Sequence, residues 1–302
     1  MKNPLIPGNK KDRTGTAGIL RRCLAVINVR FAGLEKAILG LFDGIQTYTL
    51  NDAAGVLYAM TPAQLAQLAG ELSASLDYWL MNNSEDAARF WYSPYVAEAH
   101  QLGAAQTSLN LANLSLAYAA SRNLQQIVFS EPYRNRVGIA QTKSYEHWKG
   151  QSAAIRSELA QIIGSAVADG RNPKDVRSLI RDRLDMSKSK AASMAQTDIT
   201  DALREARAAE ADQARETFGL NIGLLWTSAL IPTTRPWHAS RNGKVYTSRQ
   251  VREFYGQNGN RYNCHCSTTE CLLDTEDRPI LTDKLKATMA KERADWEALQ
   301  PS

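Results

Sequence analysis

SELAQIIGSAVADGRNPKDVRSLIRDRL, residues 157–184, is the stretch that decides the fold. Leu159, Ile162, Ile163 and Val167 recur at the spacing of one helix face, and Gly170 suits the left-handed position that ends a helix. Asn172 then offers a side-chain cap and Pro173 fits the first helical position, which turns Val176, Leu179, Ile180 and Leu184 inward on a second helix. The stretch reads as a helical hairpin. Ser187 is expected to cap a further helix through Met194, Ile199, Leu203 and Ala206, running to about Phe218 with Gly219 after it.

Upstream, Thr61 and Pro62 open a helix whose face is Leu65, Leu68, Leu72, Leu76, Trp79 and Leu80. Leu20, Leu24, Ile27, Phe31, Leu34, Ile38 and Leu41 alternate spacings of four and three, the stripe of a long amphipathic helix. Such a stripe must be covered, either by the domain's own core or by a partner chain in a coiled-coil seam. Residues 84–122 read as Ala-rich helical segments broken near Pro94, and residues 123–150 show no single pattern. Residues 1–16, polar and carrying Pro4 and Pro7, read as an extended arm.

Downstream of Gly219 the pattern changes. Residues 222–228 read as a strand, Asn242-Gly243 marks a tight turn into residues 244–247, and GQNGNRYN (256–263) is a polar loop delivering the chain to Cys264. Residues 285–299 read as a terminal helix. The fold class expected is therefore mainly α with a small β element (α+β): a helical amino-terminal half, then a helical hairpin, short antiparallel strands and a His/Cys loop. The expected divisions are 1–16, 17–150, 151–275 and 276–302.

Charge adds a second layer. Residues 1–36 hold eight cations against Asp12 and Glu35, a surplus larger than the whole chain's +5, so the remainder is near neutral. A basic amino-terminal segment with Lys10, Lys11, Arg13, Arg21 and Arg22 points to nucleic acid or an acidic protein surface, unless those cations only solvate a helix face. Charges within the apolar stretch 17–42 exclude a membrane span there and leave no secretory signal in view.

The residues that most need explaining are His238, Cys264, His265, Cys266 and Cys271. Imidazole and thiolate ligands suit tetrahedral zinc, and His238, Cys264 and Cys266, with Cys271 as fourth, form a candidate structural zinc set. Cys264 and Cys266 are separated by a single residue, an unusual spacing, so closure would depend on distant His238. The alternatives are cysteines that act as small buried hydrophobes, or a disulfide between Cys266 and Cys271. A catalytic zinc would need an open position and a base, and Glu270 is the acidic residue nearest the cysteines. Neither a GxSxG elbow nor a GxxxxGK[ST] phosphate loop occurs, and Arg235 and Arg241 flank His238 as candidate phosphate ligands.

The second half, roughly residues 151–275, resembles the phage Mu F-like family of minor head proteins, also called the phage head-morphogenesis family. The resemblance runs in order through the hairpin, AQTDITDALREAR at 195–207, Trp226, TTRPWHASRNGKVY at 233–246 and NCHCS at 263–267. Arg235, His238, Gly243, Asn263, Cys264 and Cys266 fall on the family pattern, and DRTGTAGILRR at 12–22 is similar to the start of such proteins. Gln196 stands where an arginine is usual, and Ile231-Pro232-Thr233 replace an expected acidic residue. The resemblance implies a virion assembly protein rather than an enzyme, acting in head morphogenesis and in DNA packaging or ejection, located in the phage head and, during assembly, in the host cytoplasm. Its implied partners are the portal protein, the major capsid protein and phage double-stranded DNA. The competing reading is a zinc-dependent hydrolase or toxin-like effector carrying this domain.

Overall fold

Local sequence signals set most helix boundaries in the computed structural model, which describes residues 2–49 and 56–300. Helix α1 (Ala17–Asp43) begins under Asp12, whose carboxylate accepts from the N–H groups of Gly15, Thr16 and Ala17. Strands β1 (Thr47–Thr49) and β2 (Val56–Tyr58) pair antiparallel. Helix α2 (Pro62–Leu76) carries the Thr61/Gln64 capping box and runs into a π-helical turn over Asp77–Met81. Helices α3 (Ser93–Leu114), α4 (Leu116–Ser121), α5 (Leu124–Val128), α6 (Glu131–Asp169) and α7 (Pro173–Phe218) follow. Then come β3 (Ile222–Thr227), α8 (Pro236–Ala239), β4 (Val245–Tyr246), α9 (Ser248–Gly256), β5 (Ser267–Leu272) and α10 (Asp283–Glu297). The chain is mainly helical with a small β element, as its periodicities imply.

Several boundaries differ from the sequence reading, each for a local reason. Pro94 lies in the first turn of α3 rather than breaking a helix, because its missing N–H has no partner to lose there. Ser187 starts no helix; its hydroxyl donates to the Arg183 carbonyl one turn back, within continuous α7. Residues 123–150 form α5 and the first half of α6, so the division expected at 150/151 falls inside a helix. The buried face of α1 is Ile19, Cys23, Ile27, Phe31, Leu34, Ile38 and Phe42, with Leu20, Leu24 and Leu41 beside it and half-buried. Counting Cys23 as a hydrophobe would have moved the stripe to this register.

The chain divides into two units, each built from separated segments, and α1, α6 and α7 contribute residues to both. One unit comprises Arg22–Ser93 and Gln141–Ser193. Its interior holds Phe90, Tyr92 and Trp148 as mutually angled rings, with the Trp91 indole N–H donating to the Leu80 carbonyl. Gly170 takes the left-handed conformation (φ +62°) where a Cβ would meet the Val56 carbonyl at 2.5 Å.

The other unit comprises Met1–Arg21, Pro94–Ala140 and Met194–Ser302. Its sheet has the antiparallel order β4-β3-β5, and β3 and β5 pair along their whole length from Ile222↔Leu272 to Thr227↔Ser267. Alternation then puts Cys271 on one face, packed with Leu225, Leu281 and Met289, and Glu270 on the other. Helix α3 approaches α7 closely enough that a Cβ on Gly103 would meet the Leu203 carbonyl at 2.4 Å. Residues 2–16 are not a free arm. Asn3 and Thr282 exchange two hydrogen bonds, Leu5 N–H donates to Asn110, and buried Arg13 donates to the Pro7 carbonyl and to Glu292.

A buried ion pair holds this unit together. Arg207 and Glu270 are 1% and 0% exposed at the side chain, with two contacts at 3.1 and 3.0 Å. Thr107 and Asn110 each give the carboxylate another hydrogen bond, and Arg207 continues through Gln106 to the Thr14 carbonyl. Every partner offsets part of the desolvation of two charges, so removing one leaves the other stranded. Glu270→Ala should lower unfolding stability by about 3–5 kcal/mol in urea titrations, whereas an Arg207→Met/Glu270→Leu double variant should recover much of that loss. Equal losses in the two proteins would contradict this account.

Candidate metal centre

His238 is placed by the turn between β3 and β4. Asn242 accepts from Ser228 N–H and donates to the Met289 carbonyl, while Gly243 (φ +80°) donates its N–H to the Trp226 carbonyl. A left-handed residue is needed there, which is why glycine follows Asn242. The Ser228 hydroxyl donates to the His238 carbonyl at 2.6 Å, fixing α8 against the strand end.

The Cys-x-Cys segment is placed by two arginines. Arg204 of α7 is buried and donates to the carbonyls of Cys264 (2.7 Å) and Cys266 (3.0 and 3.2 Å). It also pairs with Asp201 and lies 4.3 Å over the Tyr255 ring, which stacks on Trp226. Arg235 donates to the carbonyls of Tyr262 and Asn260, clamping the polar loop onto the start of α8. Asn263 takes a left-handed conformation (φ +52°), tolerable for asparagine, and its N–H donates to the Thr197 hydroxyl. The residues on the family pattern thus do positional work around one point. The Thr247/Gln250 capping box opening α9, unread in the sequence, adds Phe254 and Tyr255 to the site's wall.

At that point His238, Cys264 and Cys266 meet, all buried, with their ligand atoms within 4.8 Å of one another. His238 Nδ1 lies 3.4 Å from Cys264 Sγ and 3.9 Å from Cys266 Sγ. Zn–S bonds of about 2.3 Å and Zn–N bonds of about 2.0 Å at a tetrahedral angle require roughly 3.5 Å between such atoms. The three donors therefore fit a metal ion by chemistry and by spacing. In the metal-free pair, the hydrogen bond from Cys266, helped by Arg204 and His238, holds the Cys264 thiol well below its ordinary range against the opposing effect of burial. The same contact, with burial, pushes Cys266 up. A lowered Cys264 thiol works in the direction metal binding requires, because the ligand is the thiolate.

The structure does not bring the whole expected set together. Cys271 lies on the opposite face of the sheet, where burial pushes its thiol up to about 12. Glu270, the acidic neighbour, is engaged by Arg207. Arg241 stacks on Phe254 at 3.8 Å. Among the amino-terminal cations, Arg13 is buried and Lys10 lies 3.4 Å from Glu292, whereas Lys11, Arg21 and Arg22 are exposed. A small cleft of about 100 Å³ adjoins the centre, lined by Arg235, His238, Asn263, His265 and Cys266 among others. Purified protein should carry close to one zinc per chain by elemental analysis, lost in Cys264→Ser, Cys266→Ser and His238→Ala and kept in Cys271→Ser. Loss of zinc in Cys271→Ser, or its retention in the other three, would refute the three-ligand set.

In comparison with known families, residues 155–269 match the one described as Phage Mu protein F like protein. No curated protein and no solved structure matches the chain. The matched segment runs from α6 into β5 and includes His238, Cys264 and Cys266 but not Cys271. Residues 155–269 are thus similar to the Phage Mu F-like family, and that similarity points to phage head morphogenesis.

Proposed function

We propose that this chain is a minor, capsid-associated head protein of a tailed bacteriophage or prophage, acting in head morphogenesis at the portal or inner capsid, with zinc as a structural cofactor. The observation that carries the reading is that the family-matched segment holds a buried His/Cys/Cys group. Ligands drawn from α8 and from the loop before β5 suit a staple, since a metal there would cross-link segments more than twenty residues apart. The hydrolase reading has less support, because Glu270 is engaged elsewhere and no carboxylate lines the adjoining cleft.

Portal and major capsid proteins are the partners proposed, with the virion as destination and the host cytoplasm as the place of assembly. No helix among the described residues is long and apolar enough to cross a membrane. Contact with double-stranded DNA would rest on the exposed Lys11, Arg21 and Arg22, because Arg13 is buried. Disrupting the gene in the phage or prophage should reduce DNA-filled heads, and quantitative mass spectrometry of purified wild-type heads should find the chain at low copy. An undiminished yield of filled heads without the gene, together with absence of the chain from purified heads, would reject the proposal.

A further inference from the structure

We propose that the cleft beside His238 binds a carboxylate, which accepts hydrogen bonds from His238 Nε2 and from Arg235 once a metal occupies His238, Cys264 and Cys266; the inference rests on the metal reading above. The argument begins with the histidine ring. His238 turns Nδ1 toward both sulfurs, so a metal bound there leaves the hydrogen of the neutral ring on Nε2. The atom facing Nε2 is Arg235 Nη1, at 3.4 Å. A guanidinium offers only donors, so the metal-bound state sets two donors against each other.

Metal-ligating histidines ordinarily give their second N–H to a carboxylate, a carbonyl or water, which fixes the ring. Among the described residues, no oxygen takes that hydrogen from His238. Both donors border the same cleft of about 100 Å³, which has room for a carboxylate group. Its lining offers the neutral acceptors Thr233, Thr234 and Asn263 and no acidic side chain, so a carboxylate there comes from outside the cleft. Arg235 uses two of its five N–H groups on the Asn260 and Tyr262 carbonyls and keeps others for a ligand. Charge selects the same class. Two thiolates balance a divalent ion, and Arg235 then adds a cation at the cleft, which favours an anionic ligand.

The arrangement also couples the two ligands. Without metal, the ring hydrogen can sit on Nδ1 against a sulfur, and Nε2 then accepts from Arg235, so no outside acceptor is needed. Metal binding creates the need for the carboxylate, and by linkage the carboxylate must tighten metal binding by the same factor.

Acetate and inorganic phosphate, each titrated against chloride at matched ionic strength, test this in the full-length protein. Zinc affinity, measured in a chelator buffer at fixed free zinc, should rise at least about tenfold at saturating acetate, the scale of one charge-assisted hydrogen-bond pair. Arg235→Gln, which also loses the clamp on the loop, should bind zinc more weakly in chloride and show no gain when acetate is added, and if that variant fails to fold, the linkage in wild-type protein decides alone. Zinc binding indifferent to acetate would overturn the carboxylate inference and leave the metal reading standing, whereas no zinc binding at all would overturn both. A stronger response to phosphate than to acetate would overturn the choice of a carboxylate.

Discussion

A buried guanidinium must find an acceptor for the hydrogens it brings out of water, and α7 buries two of them, Arg204 and Arg207, three residues apart on one helix face. Arg207 finds the carboxylate of Glu270. Arg204 finds the backbone carbonyls of Cys264 and Cys266. The two cations thus dock both β5 and the loop before it onto the same helix, and the sheet and the His/Cys centre inherit their positions from that docking. Ala202, Ala206, Ala209, Ala211 and Ala214 help, because their small side chains let neighbouring elements come close to α7.

The same docking decides which cysteines can share a metal. Once Glu270 faces α7, strand alternation turns Cys271 to the other side of the sheet, among Leu225, Leu281 and Met289. Cys264 and Cys266 precede the strand, and Arg204 holds their carbonyls so that both sulfurs reach His238. Trp226, Phe254 and Tyr255 form an aromatic wall against the His238 ring. One buried ion pair therefore removes both the fourth cysteine and the nearest acid from the site, leaving a three-donor centre beside a cationic cleft.

Much of this was legible in the sequence where the signal is local. The hairpin of α6 and α7, the capped start of α2, the strand after Gly219 and the Asn242-Gly243 turn are written in periodicity and in residues with special backbone needs. His238, Cys264 and Cys266 were legible as candidate ligands from donor chemistry, and their meeting is a property of the fold. What stayed hidden depends on pairing at long range. Nothing near Cys271 announces which strand face it occupies, since Glu270 finds its partner 63 residues away. The basic count of residues 1–36 gave no sign that Arg13 would be buried against Glu292, 279 residues away. The continuity of α7 through Ser187 was masked by a residue type that caps helices as readily as it bonds back within them.

X-ray absorption at the zinc edge of the wild-type protein tests the central claim most directly, because it counts the sulfur atoms bound to the metal. A first shell of two sulfurs with nitrogen or oxygen completing it is the result expected of His238, Cys264 and Cys266. A shell with three sulfurs, which would require Cys271 to cross the sheet, or zinc bound without sulfur, would contradict the arrangement described.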